Sequence, residues 1–165
     1  MEEHFRAPWD NWVRTTTSLS ALLLFGIPAV VWLTVGRAHG DAWLLWLLPP
    51  IVLLGALPFA VTGYRLCHDE LWIDRPGRTT RVSLDGLKRV EAIPGVMAWS
   101  LRTLGNGGLF AFCGYFRNRA LGPYQAFVTD GSRTVVLSFD RRTVVVSPEP
   151  VNHFVTSLKR SRRLS

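Results

Sequence analysis

The rhythm of polar and apolar positions changes twice along this chain. No Asp, Glu, Lys or Arg falls between Thr15 and Gly36, or between Ala42 and Tyr64. These runs of 22 and 23 residues reach roughly 33 and 34 Å as helices, against a bilayer core of about 30 Å. Only Arg37, Ala38, His39, Gly40 and Asp41 separate them. The pattern predicts a transmembrane helical hairpin, with spans near 15–36 and 42–63 and both ends on one side. Pro28, the pair Pro49-Pro50 and Pro58 remove backbone donors inside the runs and predict kinks. Ala56 and Ala60 form a small-xxx-small pair suited to close helix contact.

From Tyr64 to Ser165 the grammar is that of one compact, mainly-β domain. Tyr64, Leu66, Leu71 and Ile73 predict a strand or bent pair broken at His68-Asp69-Glu70, and Pro76-Gly77 predicts a turn. Arg78 to Leu84 and Leu87 to Ile93 read as further strands around Asp85-Gly86. Tyr124–Thr129, Thr134–Phe139 and Thr143–Ser147, joined by Asp130-Gly131 and Asp140-Arg141, predict a three-stranded meander. Beyond it the period becomes helical. Ser147 is suited to cap, Pro148 to the first turn and Glu149 to the positive end of the dipole. Val151, Phe154, Val155 and Leu158 then recur at i, i+3, i+4 and i+7, one apolar stripe for packing on a sheet.

Charge orients the hairpin. Arg6 and Arg14 precede the first run, and Arg65, Arg75, Arg78 and Arg81 follow the second, whereas the link holds only Arg37. Basic residues resist translocation, so both termini and the domain are expected in the cytoplasm, on the cytoplasmic membrane. Trp9, Trp12, Trp32, Trp43 and Trp46 lie near the expected interfaces, where an indole is best placed. A cleaved leader ending at Ala38-His39-Gly40 is the competing reading of the first run. Glu2, Glu3, the length of the run and the immediate second run argue against it. No charged or amide side chain interrupts either span, which leaves no ion or substrate pathway for a transporter.

The domain carries 16 Lys and Arg against 8 Asp and Glu, a net +8, while the first 63 residues are net −1. A basic domain tethered to the inner leaflet faces anionic lipid, at about 1 kcal/mol per basic group near the surface. Nucleic acid is not expected as a partner, since no helix-turn-helix spacing, zinc-ligand set or RNA-binding aromatic signature is present. The tail Lys159, Arg160, Arg162 and Arg163 suits the carboxyl end of the last helix, and is either a solvated end or a membrane-surface element.

One segment stands apart. Gly105-Asn106-Gly107-Gly108 can form a nest of N–H donors for an anion, with Arg102, Arg117 and Arg119 supplying charge, or a purely structural turn. It lacks the Gly-Lys-Ser/Thr of a Walker loop. The apolar run Gly107 to Phe116 is too short to span, and reads either as an interfacial loop or as two paired strands with Phe110, Phe112, Tyr115 and Phe116 in the core.

Enzymatic constellations are weak. His4, His39, His68 and His153 are scattered, and Cys67-His68-Asp69 has no third orienting group at recognisable spacing, so no catalytic residue, metal or cofactor is expected. Cys67 and Cys113 read as reduced cytoplasmic thiols.

Several segments together resemble the bacterial membrane-anchored pleckstrin-homology-like (PH-like) proteins, in which two N-terminal transmembrane helices precede one such domain. They are Leu71-Trp72-Ile73 before a basic strand, Leu101-Arg102, Gly105 to Phe110, Gly114-Tyr115-Phe116-Arg117-Asn118, Leu121-Gly122, Tyr124, Val128-Thr129 and Ser147-Pro148. The resemblance spans roughly Tyr64 to Leu158. It implies a bent, two-sheet antiparallel barrel of about seven strands capped by the C-terminal helix, and no reaction. Arg75, Arg78 and Arg81 are not the dense lysine-arginine pattern of phosphoinositide-binding hairpins. Three functions follow as expectations: a non-enzymatic module contacting a protein or anionic head groups, an accessory subunit of a membrane complex, and a small-anion sensor using Gly105 to Gly108.

Overall fold

A computed structural model describes residues 2–36 and 42–162; the link at Arg37 to Asp41 and the tail residue Arg163 lie outside them. The alternating segments form ten strands in two sheets among the described residues, where the family resemblance implies about seven. The first sheet orders β1 (Glu2–Arg6), β2 (Gly63–Cys67), β3 (Glu70–Arg75) and β4 (Arg78–Ser83) as β1-β2-β3-β4. The second contains β5 (Leu87–Ala92), β6 (Leu101–Gly107), β7 (Phe112–Asn118), β8 (Gly122–Val128), β9 (Val135–Phe139) and β10 (Thr143–Val146), in the order β5-β9-β10-β8-β7-β6. The helices are α1 (Asn11–Val31), α2 (Leu48–Ala56) and α3 (Val151–Arg162).

Strand β1 precedes the first apolar run and pairs antiparallel with β2, which follows the second. The N-terminal segment thus completes a sheet of the domain, with Phe5 buried in its core. The predicted meander is corrected. Its three strands exist, but β10 inserts between β9 and β8, antiparallel to the first and parallel to the second. The helical stripe holds: Phe154 and Leu158 are fully buried and Val151 and Val155 pack beside them. Ser147 is not the cap of α3, which starts at Val151. It lies in the core, where its Oγ accepts from Thr129 N at 2.9 Å and Asp130 N at 3.2 Å.

Tyr64 completes that buried network. Its hydroxyl donates to the Phe127 carbonyl at 2.7 Å and accepts from Ser147 N at 3.2 Å. Burial pushes the phenol up from 10.0 to about 12, outweighing the opposing hydrogen bonds from Ser147 and Thr129. The folded chain holds this proton more tightly than the unfolded one. The stabilisation is therefore complete below pH 10 and is lost as pH rises through about 12. Denaturant unfolding across pH 9 to 12 should show stability declining in that window. Tyr64→Phe should cost about 1–3 kcal/mol at neutral pH by orphaning the Phe127 carbonyl, and should remove the tyrosine's share of the alkaline decline. An unchanged alkaline slope in the variant would refute the assignment.

The apolar runs differ in form. Asn11–Thr34 is one helix long and apolar enough to cross a membrane, and almost none of it is buried in the protein. It begins four residues before the predicted span, because Asp10 accepts from Val13 N at 2.7 Å and caps it. Pro28 lies inside α1, and a π-helical turn follows at Trp32–Gly36. The second run is shorter than predicted: a 3₁₀ segment Ala42–Leu47, then α2, then a 3₁₀ turn Leu57–Phe59. Pro49, Pro50 and Pro58 sit in the opening turns of the last two segments, where a missing N–H costs little. Ala60 is extended and, with Val61, buried against the domain, so Ala56 and Ala60 do not form a helix-packing pair.

Candidate binding cavity

Sequence and turn geometry place two arginines opposite each other. Pro76-Gly77 closes the β3–β4 hairpin in two residues, with Gly77 at φ 77°, and the register pairs Arg75 directly with Arg78. Like charges so placed repel. Arg75 is only 8% exposed, and its Nε is buried with no hydrogen-bond partner. Its guanidinium lies over the Phe127 ring, 4.8 Å from the centroid. Desolvation, opposed by Cys113 and aided by Arg78, holds its pKa below the ordinary range.

Arg75 faces a cavity of about 1010 Å³ between the two sheets and α2. Arg78, Thr79 and Thr80 of β4 form one side, and Arg102, Leu104 and Asn106 of β6 the other. Cys113 and Phe127 lie at the floor beside Arg75. Burial pushes the Cys113 thiol up, despite the neighbouring arginines, so it stays neutral at physiological pH. The third side is apolar: Val52, Gly55 and Ala56 of α2 with Phe59 beyond it. Among the described residues, the lining includes three arginines and no acidic residue. Such an arrangement is costly when empty and favourable around an anion.

The sequence leaves Gly105 to Gly108 open between an anion nest and a structural turn. Gly105, Asn106 and Gly107 belong to β6 and pair with Gly114, Cys113 and Phe112 of β7, so their backbone serves a ladder. Gly105 and Gly114 oppose each other at φ 115° and 142°, permitting a backbone approach that any side chain would block. A Cβ on Gly107 would lie 2.9 Å from Arg102 Nη1, so that glycine makes room for the guanidinium. The turn itself is at Gly108, φ 121°. Asn106 ties it down: its Oδ1 accepts from Leu109 N at 3.2 Å, and its Nδ2 donates to the Leu109 carbonyl.

Of the predicted binding residues, the structure brings Arg102 and Asn106 to the cavity. Arg117 and Arg119 stand exposed at the far end of the β6–β7 hairpin and do not line it. In the predicted basic tail, Arg162 Nη2 lies 3.0 Å from Asp69 Oδ1 and Arg160 is exposed; Lys159 is partly buried on α3. Sequence reasoning missed Arg75 and Arg78 as site residues. Their signal was the two-residue Pro-Gly turn, which forces the arginines on either side into one cross-strand pair. Arg81, third in that run, stacks over Trp72 at 4.5 Å and is not in the cavity.

The cavity is held at a fixed place relative to α1. Asp10 N donates to the Thr129 carbonyl at 3.2 Å, and Gly131 N donates to Asp10 Oδ2 at 3.0 Å, so the residue that caps the helix also grips the domain. The β6–β7 tip grips α1 as well: Phe110 N donates to Thr17 Oγ1 at 3.1 Å and the Phe110 ring lies 6.0 Å from that of Trp9. The apolar run at Gly107 to Phe116 is therefore a strand pair whose tip rests on the helix. Phe116 is buried, Phe110 and Phe112 partly so, and Tyr115 is exposed beside the cavity.

A protein-family model described as Bacterial PH domain matches residues 62–162. No curated protein and no solved structure matches the chain.

Proposed function

Because the chain belongs to the Bacterial PH domain family, we propose that it is a non-enzymatic, membrane-anchored module that presents this domain at the cytoplasmic face of the bilayer for contact with anionic head groups or a protein. The observation that carries the reading is the double grip on α1. An exposed apolar helix is capped by a residue bonded to the domain and touched by the β6–β7 tip, so the domain sits at the level where that helix enters a membrane.

The anchor is a hairpin of two spans. Ala42–Phe59 has only 18 residues, but half of them are in the longer-rising 3₁₀ form, which brings the nominal length to about 31 Å. Leu23, Ile27 and Pro28 of α1 face Leu45 and Leu48 across a small apolar gap, as two paired spans would. The excess of arginines on the domain side of both spans supports a cytoplasmic domain. A protein partner is favoured by the edge strand β6, where Leu101 and the neighbouring Trp99 are 75% and 99% exposed.

Alkaline carbonate washing of membranes containing the full chain tests the anchor. The chain should remain in the pellet. Release into the supernatant would show a peripheral association and overturn the reading.

A further inference from the structure

We infer that the cavity beneath Arg75 binds an anionic amphiphile, with its anion on Arg75, Arg78 and Arg102 and its hydrocarbon chain along α2. The inference rests on the membrane-anchored reading and goes beyond it, because it places the ligand inside the domain and not on its outer basic surface.

Two independent observations converge. The first is polar. Arg75, only 8% exposed and with an unpartnered Nε, faces a space lined by two further arginines and, among the described residues, no acid. Asp74 is the nearest acid in sequence, but it is engaged by Arg65, at 2.8 Å to Nε and 2.6 Å to Nη2, and does not line the space. Arg75 and Arg78 are a cross-strand pair of like charge, which an anion between them converts from repulsive to attractive. The second observation is apolar. Val52, Gly55 and Ala56 line the same space from α2, and Leu104 and Tyr115, a cross-strand pair 68% and 52% exposed, form a facing lip. Gly55 has open space where a side chain would stand, leaving room along the helix. A free anion would need only the arginines. A neutral lipid would need only the lip. An amphiphile with an anionic head uses both, and α2 leads its chain from the cavity into the bilayer. The volume of about 1010 Å³ is at the upper end of small-ligand sites.

The test uses the full chain in dodecyl maltoside micelles and native mass spectrometry, with phosphatidylglycerol, phosphatidylcholine and inorganic phosphate as probes. One phosphatidylglycerol should be retained per chain, with about tenfold preference over phosphatidylcholine, and inorganic phosphate alone should bind at least about tenfold more weakly. Arg75→Gln should reduce retention about tenfold. Arg102→Gln, at an exposed strand position whose loss leaves the fold intact, should reduce it severalfold. Arg141→Gln, an equal charge change on the β9–β10 turn, should leave it unchanged. Equal retention of both lipids, phosphate binding as tight as the lipid's, or an Arg102→Gln chain that behaves like Arg141→Gln would each overturn the inference. These failures differ from failure of the anchor: a chain that resists carbonate but shows no arginine-dependent retention loses only the ligand, whereas release by carbonate removes the anchor.

Discussion

Gly114→Ala should abolish cooperative folding of the domain or lower its stability by about 3 kcal/mol or more. A Cβ at Gly114 would lie 2.2 Å from the Leu104 carbonyl oxygen and 2.8 Å from the Gly105 Cα, at a φ of 142° that side chains rarely adopt. The obstacle is backbone on the paired strand, so no rotamer change relieves it. Gly105 has the mirror problem, 2.3 Å from the Cys113 carbonyl oxygen. Gly77 separates conformation from collision: its φ is 77° but nothing lies within 4 Å of the place a methyl group would take, so Gly77→Ala should cost only about 1 kcal/mol. Thermal unfolding of the detergent-solubilised chain, followed by near-ultraviolet circular dichroism, compares the two. Equal losses for both variants would refute the close strand crossing.

Phe154→Ala should cost about 3–5 kcal/mol. The ring is fully buried and meets Phe5 edge to face, centroids 5.0 Å apart. Phe5 belongs to β1 and Phe154 to α3, so this contact joins the start of the chain to its last helix. Truncation leaves a cavity between two elements and loosens β1, held otherwise by β2 and by the backbone bridge between Arg6 and Glu149. Thr156→Ala, on the exposed side of the same helix, should stay within about 0.5 kcal/mol of the parent. The same unfolding measurement decides. A Phe154→Ala chain as stable as Thr156→Ala would mean that α3 does not close the core.

Elements governed by local pattern were legible in the sequence. The Val151, Phe154, Val155, Leu158 spacing yields α3 because a helix with one apolar stripe has only one face to bury. Pro76-Gly77 and Asp85-Gly86 delimit β4 because few other residue pairs turn so tightly. What escaped was long-range. In Glu2–Arg6 only Phe5 enters the core, and the segment's partner comes after both apolar runs, so nothing local announces β1. The strands Tyr124–Thr129 and Thr143–Ser147 look like hairpin neighbours of Thr134–Phe139, yet a parallel β8–β10 pair forms between them. Glycine's freedom made Gly105 to Gly108 ambiguous, since a loop and a crowded strand crossing both require it. The cavity was hidden for a related reason. Arg102 stood out beside the glycines, but Arg75 reaches it from the other sheet, and its unpartnered Nε is a property of packing.

The proposed placement of the domain on the cytoplasmic side of a membrane hairpin is tested most directly by protease sidedness. The full chain with a C-terminal epitope would be exposed to protease in intact bacterial spheroplasts and in inverted inner-membrane vesicles. Two spans with both ends inside require the epitope and the domain to survive in spheroplasts and to be digested in inverted vesicles. Digestion in spheroplasts with protection in inverted vesicles would place the domain on the opposite face, and would contradict the proposed cytoplasmic orientation.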